Sequence, residues 1–188
     1  MTSSSIGNAC EDPAVATVRV ALPGDAEAVS RVHVLSWQAA YAGLLPADFL
    51  AALSVERRLQ WWSQELVEPH IPESRTYVLD IAGAVAGFAN LGPGRADEDR
   101  QTPEQWELYA IYLLPEHWGA GNGRLLLETA LGSIPRTVRD VSLWVMEPNA
   151  RARAFYERHG FHWDGTRREH ELGGQPVIAV RYLGAVPM

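Results

Sequence analysis

The stretch from Glu107 to Arg124, ELYAIYLLPEHWGAGNGR, is the feature that most constrains the fold of this chain. Its first half, ELYAIYLL, is an apolar run typical of a buried strand, and Pro115 ends it. A turn with glycine at every second position follows, and the helical pattern RLLLETAL comes next. A turn that leads from a strand into a helix leaves backbone N–H groups unpaired at the positive end of the helix dipole. The sequence therefore predicts a phosphate-binding turn.

A second segment, from Leu143 to Phe161, repeats the order of strand, turn and helix. The strand LWVM ends before Pro148, which disfavours helix at the residue that precedes it. Asn149 is a good N-cap residue, and Gly160 is a typical helix end. Asn149 and Tyr156 are seven residues apart. Because that spacing is close to two helical turns, we expect both side chains on one face.

The two segments together resemble the signatures of the GNAT superfamily of acyl-CoA-dependent N-acyltransferases. The first family signature, Gln/Arg-x-x-Gly-x-Gly/Ala, is represented by WGAGNG at residues 118–123. The second, Asn-x-x-Ala-x-x-Phe-Tyr-x-x-x-Gly-Phe, is matched in full at residues 149–161. The first match departs at Trp118, where the family usually carries Gln or Arg, and at Asn122, where it usually carries an aliphatic residue. The backbone donors survive both changes, and Arg124 is the candidate replacement for the lost side-chain contact with phosphate.

The resemblance implies that acetyl-CoA is the acyl donor. Relatives hold its pyrophosphate on the glycine turn and pair the backbone of the signature strand with the pantetheine arm, in the manner of an added strand. The asparagine of the second signature hydrogen-bonds the same arm. The implied cofactor-binding residues are Ile111, Tyr112, Leu113, Gly119, Ala120, Gly121, Asn122, Gly123, Arg124, Asn149 and Tyr156. The six histidines show no metal-ligand spacing, so we expect no metal site.

Acetyl transfer from a thioester to an amine requires a base and an acid. The base keeps the attacking amine uncharged, and the acid protonates the thiolate as it leaves. In many relatives the tyrosine at the position of Tyr156 lies beside the sulfur and protonates the departing thiolate. Glu107 is the candidate base. It precedes Gly121 by fourteen residues, the offset of the catalytic glutamate in the family's histone acetyltransferases. The alternatives are structural: Tyr156 packs in the core, and Glu107 is an exposed strand-end carboxylate.

The remaining patterns predict an α/β (α+β) fold with a mixed, mostly antiparallel central sheet and helices on both faces, as the GNAT resemblance also implies. The expected elements are a strand at Thr17–Leu22, a helix at Ala26–Tyr41, a helical region at Pro46–Leu66, a hairpin of Tyr77–Ile81 and Val85–Leu91, the signature strand and helix, a strand at Val141–Met146, the helix after Asn149, and a final hairpin that turns at Gly173 and Gly174.

Composition bounds the domain organisation. The chain has 188 residues, of which 47% are hydrophobic, so we expect one folded domain at residues 16–188. Residues 1–15 are small and polar without a basic region, which predicts a disordered tail and not a signal peptide. Cys10, the only cysteine, falls in that tail, so no disulfide or cysteine nucleophile is expected in the domain. No apolar run reaches about 18 residues, which argues against a membrane span and favours a cytoplasmic location.

The acceptor is the least constrained part of the prediction. A net charge of −7 argues against nucleic acid as a partner. With Asp97, Glu98 and Asp99 ahead of the signature strand, the charge favours a cationic amine. The segment SWQAAYAGLLPADFL resembles one in small-molecule GNAT enzymes whose first two helices line the acceptor cleft. The aromatic residues of these helices, Trp37, Tyr41, Trp61 and Trp62, therefore belong either to that cleft or to the core.

The leading hypothesis is therefore an acetyl-CoA-dependent N-acetyltransferase that modifies the primary amine of a small molecule by direct attack in a ternary complex. A protein N-terminal acetyltransferase is a second enzyme hypothesis. A CoA-binding regulatory module without turnover is a third hypothesis from another class. A Rossmann-type fold is disfavoured because its glycine fingerprint belongs on the first strand. The sequence leaves open whether the protein is a homodimer.

Overall fold

The computed structural model describes residues 15–95 and 105–186. These residues form a seven-stranded sheet in the order β1-β2-β3-β4-β5-β7-β6. Neighbouring strands are antiparallel except β4 and β5, which are parallel. The prediction of a mixed, mostly antiparallel sheet is confirmed. The strands are β1 (Ala16–Val20), β2 (Arg75–Ile81), β3 (Ala84–Pro93), β4 (Gln105–Leu113), β5 (Asp140–Met146), β6 (His162–Leu172) and β7 (Gln175–Ala185).

Helices cover both faces of this sheet, as expected. On one face, α1 and α3 bury Val29, Val32 and Trp62 against Val78 and Phe88 of the sheet. On the other face, the apolar side of α4 packs into the largest core cluster, which α5 also joins. The helices are α1 (Ala26–Ala40), α2 (Ala47–Ala51), α3 (Val55–Glu65), α4 (Asn122–Leu131) and α5 (Ala150–Arg158), with short 3-10 turns at Pro23–Asp25 and Pro115–His117.

The helical region expected at Pro46–Leu66 consists of two helices. The break lies between Ala51 and Val55, where Ser54 adopts extended backbone geometry. The Oγ of Ser54 accepts a hydrogen bond from the backbone N–H of Arg57 at 3.2 Å. Such a cap satisfies a donor that the first turn of α3 would otherwise leave unpaired, so the serine starts a new helix.

A β-bulge in β4 decides which of its side chains face α1 and α3. Asn90 of β3 pairs with Ala110, whereas Leu91 pairs with Leu108, so Tyr109 is the extra residue. Because of the extra residue, even-numbered side chains before the bulge and odd-numbered ones after it point to the same face of the sheet. Leu108, Ile111 and Leu113 accordingly all lie in the cluster on the α4 face. By the same alternation Glu107 belongs to the opposite face, together with residues 110 and 112.

The parallel pair β4–β5 separates part-way along its length. The two strands pair from Gln105 to Leu108 on β4 and from Asp140 to Leu143 on β5. Beyond Leu108, β4 stays paired with β3 but has no partner on its other edge in the described part of the chain. The separation opens a wedge-shaped gap in the middle of the sheet.

Several expectations fall on residues outside the described ranges. These are residues 1–14 of the tail predicted at residues 1–15, with Cys10, and the acidic residues Asp97, Glu98 and Asp99. No helix in residues 15–95 and 105–186 is long and apolar enough to cross a membrane.

Candidate active site

A cleft with a volume of about 500 Å³ occupies the gap between β4 and β5. It begins at the glycine turn before α4 and ends against the last turn of α1. Its size is within the range of small-molecule sites. Nine of the predicted cofactor residues line it: Ile111, Tyr112, Leu113, Gly119, Gly121, Gly123, Arg124, Asn149 and Tyr156.

The glycine turn presents a run of free backbone donors. The structure gives no protein acceptor, within the described residues, to the N–H groups of residues 119–124. Gly119 and Gly121 have φ of 82° and 83°, in the left-handed region that favours glycine, and a Cβ at either position would meet nothing within 4 Å. Free donors at the start of α4 with open space in front of them suit the pyrophosphate of acetyl-CoA.

Trp118 and Asn122, the two departures from the family signature, both contribute to the shape of the turn. The indole Nε1 of Trp118 donates to the carbonyl of Leu113 at 2.9 Å. The amide of Asn122 donates to the carbonyl of His117 at 3.3 Å. Ala120 and Asn122, two of the predicted cofactor residues, do not line the cleft.

Arg151 provides positive charge that the signature residue would have supplied. Its guanidinium lies 3.7 Å from the centroid of the Trp118 ring, and it lines the cleft beside Arg124. Arg124 is ion-paired with Glu128 at 2.8 Å. The stacking on Trp118 connects two segments that no local pattern joins.

The unpaired edge of β4 and Asn149 face the middle of the cleft. Residues 111–113 pair with residues 87–89 of β3 on one side only. A peptide-like pantetheine arm can pair with the other side, since its amides match the groups of a strand edge. Asn149 caps α5, because its Oδ1 accepts from the N–H of Ala152 at 3.1 Å. The predicted N-cap is confirmed, and Asn149, which is buried, lines the cleft.

Tyr156 lies in the cleft wall with only 9% of its surface exposed. Its ring packs at right-angled or tilted geometry against Phe155, Phe161 and Tyr182. Its hydroxyl forms no hydrogen bond within the described part of the chain. Burial raises the pKa of this hydroxyl, and the nearby Tyr112 raises it further, so Tyr156 is neutral and keeps a proton to donate.

Glu107 is buried at 4% exposure but is not among the residues that line the cleft. Both of its carboxylate oxygens accept from the guanidinium of Arg95, one of them at 3.1 Å from Nε. The backbone N–H of Arg95 donates to it as well, at 3.3 Å. The expectation of an exposed strand-end carboxylate does not describe this residue, and its role as a base stays a prediction.

The far end of the cleft is built from aromatic residues of α1 and β4. Tyr41, for which the sequence left core and cleft open, lines the cleft together with Tyr109 and Tyr112. Trp37 lies behind Tyr41, with ring centroids 5.0 Å apart. The spacing of Trp37 and Tyr41 by four residues is the signal that placed them on one helix face. The hydroxyl of Tyr109 donates to the carbonyl of Pro93, which fixes the bulged residue.

Comparison with known proteins agrees with this geometry. The model of the Acetyltransferase (GNAT) family matches residues 34–161. The uncharacterized N-acetyltransferase YuaI of Bacillus subtilis is 35% identical over 135 residues, which cover 71% of this chain and 73% of that protein. The peptidyl-lysine N-acetyltransferase YjaB of Escherichia coli is 29% identical over 140 residues, which cover 73% of this chain and 81% of that protein.

The fold is shared with solved structures as well. The PaiA N-acetyltransferase of Thermoplasma acidophilum, solved in complex with coenzyme A, has a TM-score of 0.68 to this structure at 20% identity, over 91% of this chain and 99% of that one. The family model covers more than half of the chain, and the relative from Bacillus subtilis is similar over most of both sequences. The chain therefore belongs to the GNAT acetyltransferase family.

Proposed function

We propose that this protein is an acetyl-CoA-dependent N-acetyltransferase that acetylates the primary amine of a small molecule by direct attack in a ternary complex. The observation that carries the proposal is the continuity of the cleft. It joins a row of free backbone donors at residues 119–124 to an aromatic chamber under α1, and it passes Tyr156 between them. A donor and an acceptor can therefore meet inside one cavity.

The cleft suits acetyl-CoA from one end to the middle. The free N–H groups of residues 119–124 would bind the pyrophosphate, with Arg124 and Arg151 as nearby cations. The unpaired edge of residues 111–113 and the amide of Asn149 would hold the pantetheine arm. The complex of PaiA with coenzyme A, on the same fold, supports this assignment. Acetyl-CoA supplies the activated acetyl group, and this assignment gives no role to a metal.

Tyr156 is assigned as the general acid. The amine nitrogen attacks the thioester carbonyl, the carbon–sulfur bond breaks, and the sulfur leaves as a thiolate. The neutral hydroxyl of Tyr156 can donate its proton to that thiolate, and it regains one from the amine through the base or solvent. Its position in the cleft wall and its free hydroxyl support this role.

Glu107 is assigned as the base that takes the proton of the amine through water. The position of Glu107 on the sheet supports the assignment. With the bulge at Tyr109, Glu107 lies on the same side of the sheet as Ala110 and Tyr112. Its ion pair with Arg95 and its absence from the cleft lining weigh against direct contact with the amine. A carboxylate that does not line the cleft can accept the amine proton only through a water molecule between them.

A protein acceptor is the alternative. The Escherichia coli relative is named a peptidyl-lysine N-acetyltransferase, and an N-terminal amine is chemically similar to a lysine amine. The aromatic end of the cleft under α1, lined by Tyr41, Tyr109 and Tyr112, suits a small acceptor, whereas a peptide needs a groove that lets both ends of the chain leave. A module that binds CoA without turnover would have no need for the free Tyr156 hydroxyl.

Thiol release from acetyl-CoA over a panel of small amines tests the proposal. The full chain is assayed in the presence of EDTA, with lysine-containing and N-terminal peptides in parallel. We expect amine-dependent release with at least one small amine and product mass increased by one acetyl group. Release with peptides alone would favour the protein acceptor, and acetyl-CoA binding without any release would favour the binding module.

A further inference from the structure

Four large aromatic side chains line the end of the cleft under α1. They are Tyr41 of α1, Tyr109 and Tyr112 of β4, and Trp144 of β5. The other residues that α1 contributes to the lining are small: Ser36, Ala39 and Ala40. Small side chains among large rings leave room for a ligand group that contacts the rings. Among the four aromatic residues, Trp144 comes from the strand on the far side of the gap.

Trp144 lies where β5 separates from β4. The paired stretch of β5 ends at Leu143, so Trp144 is the first residue of this strand at the gap. Leu143 and Val145 pack into the cluster on the α4 face. Because side chains alternate along a strand, Trp144 lies on the opposite face with Met146, which packs in one cluster with Tyr41. The Trp144 ring is thus on the α1 side of the sheet, where the acceptor end of the cleft lies.

Two arginines hold the ring of Trp144 in place. The guanidinium of Arg168 lies 4.4 Å from the centroid of the Trp144 ring, and that of Arg181 lies 5.9 Å from it. Arg181 is itself fixed by Asp164, with 2.7 Å between Nε and Oδ2. A side chain that is already held in place loses little conformational freedom when a ligand binds. Trp144 is therefore a preorganised contact surface in the cleft wall.

The arginines that line the cleft lie at its other end. They belong to α4 and α5 and are Arg124, Arg151 and Arg158. The elements α1, β4 and β5 contribute no charged side chain to the lining, and no aspartate or glutamate is among the described residues that line the cleft. A second ammonium group on the acceptor would therefore lack a counter-ion among these residues. Recognition at the aromatic end depends on apolar contact and ring packing.

We propose that Trp144, together with Tyr41, Tyr109 and Tyr112, forms a ring-binding subsite, and that the acceptor is a primary amine that carries an aromatic ring on a short alkyl chain. The inference rests on the proposed function and replaces the cationic amine that net charge favoured. The ring of such a molecule packs against Trp144. Its amine, on the alkyl chain, remains free to attack the thioester in the same cleft.

Four matched amines test the subsite. Phenethylamine carries an aromatic ring, cyclohexylethylamine a saturated ring of similar size, ethylamine no ring, and putrescine a second ammonium group. We expect kcat/KM for phenethylamine to exceed that for ethylamine and putrescine by about 10- to 100-fold, because burial of a phenyl ring is favourable. It should exceed that for cyclohexylethylamine by about 2- to 10-fold, because aromatic pairs are stabilised beyond their buried area.

Variants of Trp144 identify the origin of this preference. Trp144→Leu removes the ring and is expected to lower kcat/KM for phenethylamine about tenfold, with little change for ethylamine. Trp144→Phe keeps an aromatic ring and should retain the preference. Trp163→Leu is the matched control, because Trp163 is exposed on β6, has an arginine 5.7 Å from its ring centroid and does not line the cleft. It should leave kcat/KM unchanged for all four amines.

A binding measurement separates this proposal from the proposed function. The four amines are titrated by calorimetry into the full chain saturated with CoA, which carries no acetyl group to transfer. Ring-selective binding that Trp144→Leu abolishes, and that Trp144→Phe and Trp163→Leu keep, supports the subsite even if no acetyl transfer occurs. In that case only the proposed function fails.

Three results would overturn the subsite. The first is equal or tighter binding of cyclohexylethylamine or putrescine to the wild-type protein, a comparison that does not depend on the folding of any variant. The second is the absence of phenethylamine binding. The third is a preference for phenethylamine that persists in Trp144→Leu.

Discussion

Three phenols, Tyr41, Tyr112 and Tyr156, line the cleft, and their burial determines what they can do. Burial penalises a phenolate more than a phenol, so the pKa of each hydroxyl is raised. A neutral phenol is a poor base at neutral pH but can donate a proton to a stronger base that appears beside it. A leaving thiolate is such a base, so the acid role proposed for Tyr156 requires only a neutral hydroxyl beside the sulfur.

Replacement of Tyr156 by phenylalanine keeps the ring packing and removes only the hydroxyl. We expect kcat to fall by about 10²–10⁴-fold, the ordinary contribution of general-acid catalysis. Affinity for acetyl-CoA and the melting temperature are expected to change little, because no cavity forms. Tyr77→Phe, a change to a buried core tyrosine outside the cleft, is the matched control and should leave kcat unchanged. Wild-type turnover of Tyr156→Phe would refute the acid role.

Glu107→Gln tests the base through the pH dependence of turnover. If Glu107 takes the amine proton, the variant loses turnover at neutral pH, and the defect shrinks as pH rises because more of the amine is already uncharged. Acetyl-CoA affinity should stay near wild type, since the base acts on the amine. Glu65→Gln removes the other buried carboxylate of this face and serves as the control. A defect that is the same at every pH would mean that the ion pair with Arg95 is structural.

At the scale of elements, the site proposed at the turn between β4 and α4 consists of backbone N–H groups, so cofactor binding there would depend on conformation more than on side chains. Gly121→Val should weaken acetyl-CoA binding at least tenfold, because the side chain projects into the space in front of the free N–H groups. Gly83→Val is a matched control: Gly83 has φ of 82° and equal open space, but it lies in the β2–β3 turn. Calorimetric titration of both variants with acetyl-CoA separates the effect of backbone strain from loss of the binding site. Equal acetyl-CoA affinities of Gly121→Val and Gly83→Val would show that the turn is not part of the cofactor site.

The elements themselves were largely predictable, because strand and helix periods, caps and glycine ends are local signals. The helix after Asn149 shows this, since its cap and its end at Gly160 both follow from single residues. The bulge at Tyr109 was not predictable, because it exists only in the pairing of β4 with β3. The contact of Arg58 with the Trp37 ring joins α3 to α1, which are separated in sequence by α2. The stacking of Arg151 on Trp118 joins α5 to the glycine turn. Such contacts depend on packing between elements, which no local pattern encodes.

At the scale of the whole molecule, the aromatic packing at the far end of the cleft also links stability to pH. His33 of α1 is 8% exposed and lies within 6.1 Å, ring centroid to centroid, of Trp37, Trp62, Phe88 and Tyr112. The Nδ1 of His33 accepts a hydrogen bond from the indole of Trp62 at 3.3 Å, so the folded protein holds the ring neutral. Burial, and to a lesser extent the charge of Arg58, lowers the pKa of His33 to about 3.

The sign of the resulting pH dependence follows from the two protonation states. Below its ordinary pKa of about 6.5, the unfolded chain binds a proton at His33 that the folded protein excludes until about pH 3. The free energy of unfolding is therefore complete above pH 6.5 and falls by about 1.4 kcal/mol per unit as pH decreases through this window. Asp25, whose pKa is lowered mainly by the hydrogen bond from Arg19, loses its contribution only at lower pH, below its ordinary value.

Urea unfolding at pH steps from 7 to 4.5 measures this slope, and His33→Asn identifies its origin. Asparagine can keep an acceptor for the Trp62 indole but does not titrate, so the variant should be less stable at pH 7 because of lost packing, yet its stability should change little across the window. The wild type should become less stable as pH falls, and the two curves should converge. A wild-type curve that is flat from pH 6.5 to 4.5, or the same slope in His33→Asn, would show that His33 takes up its proton within the folded chamber.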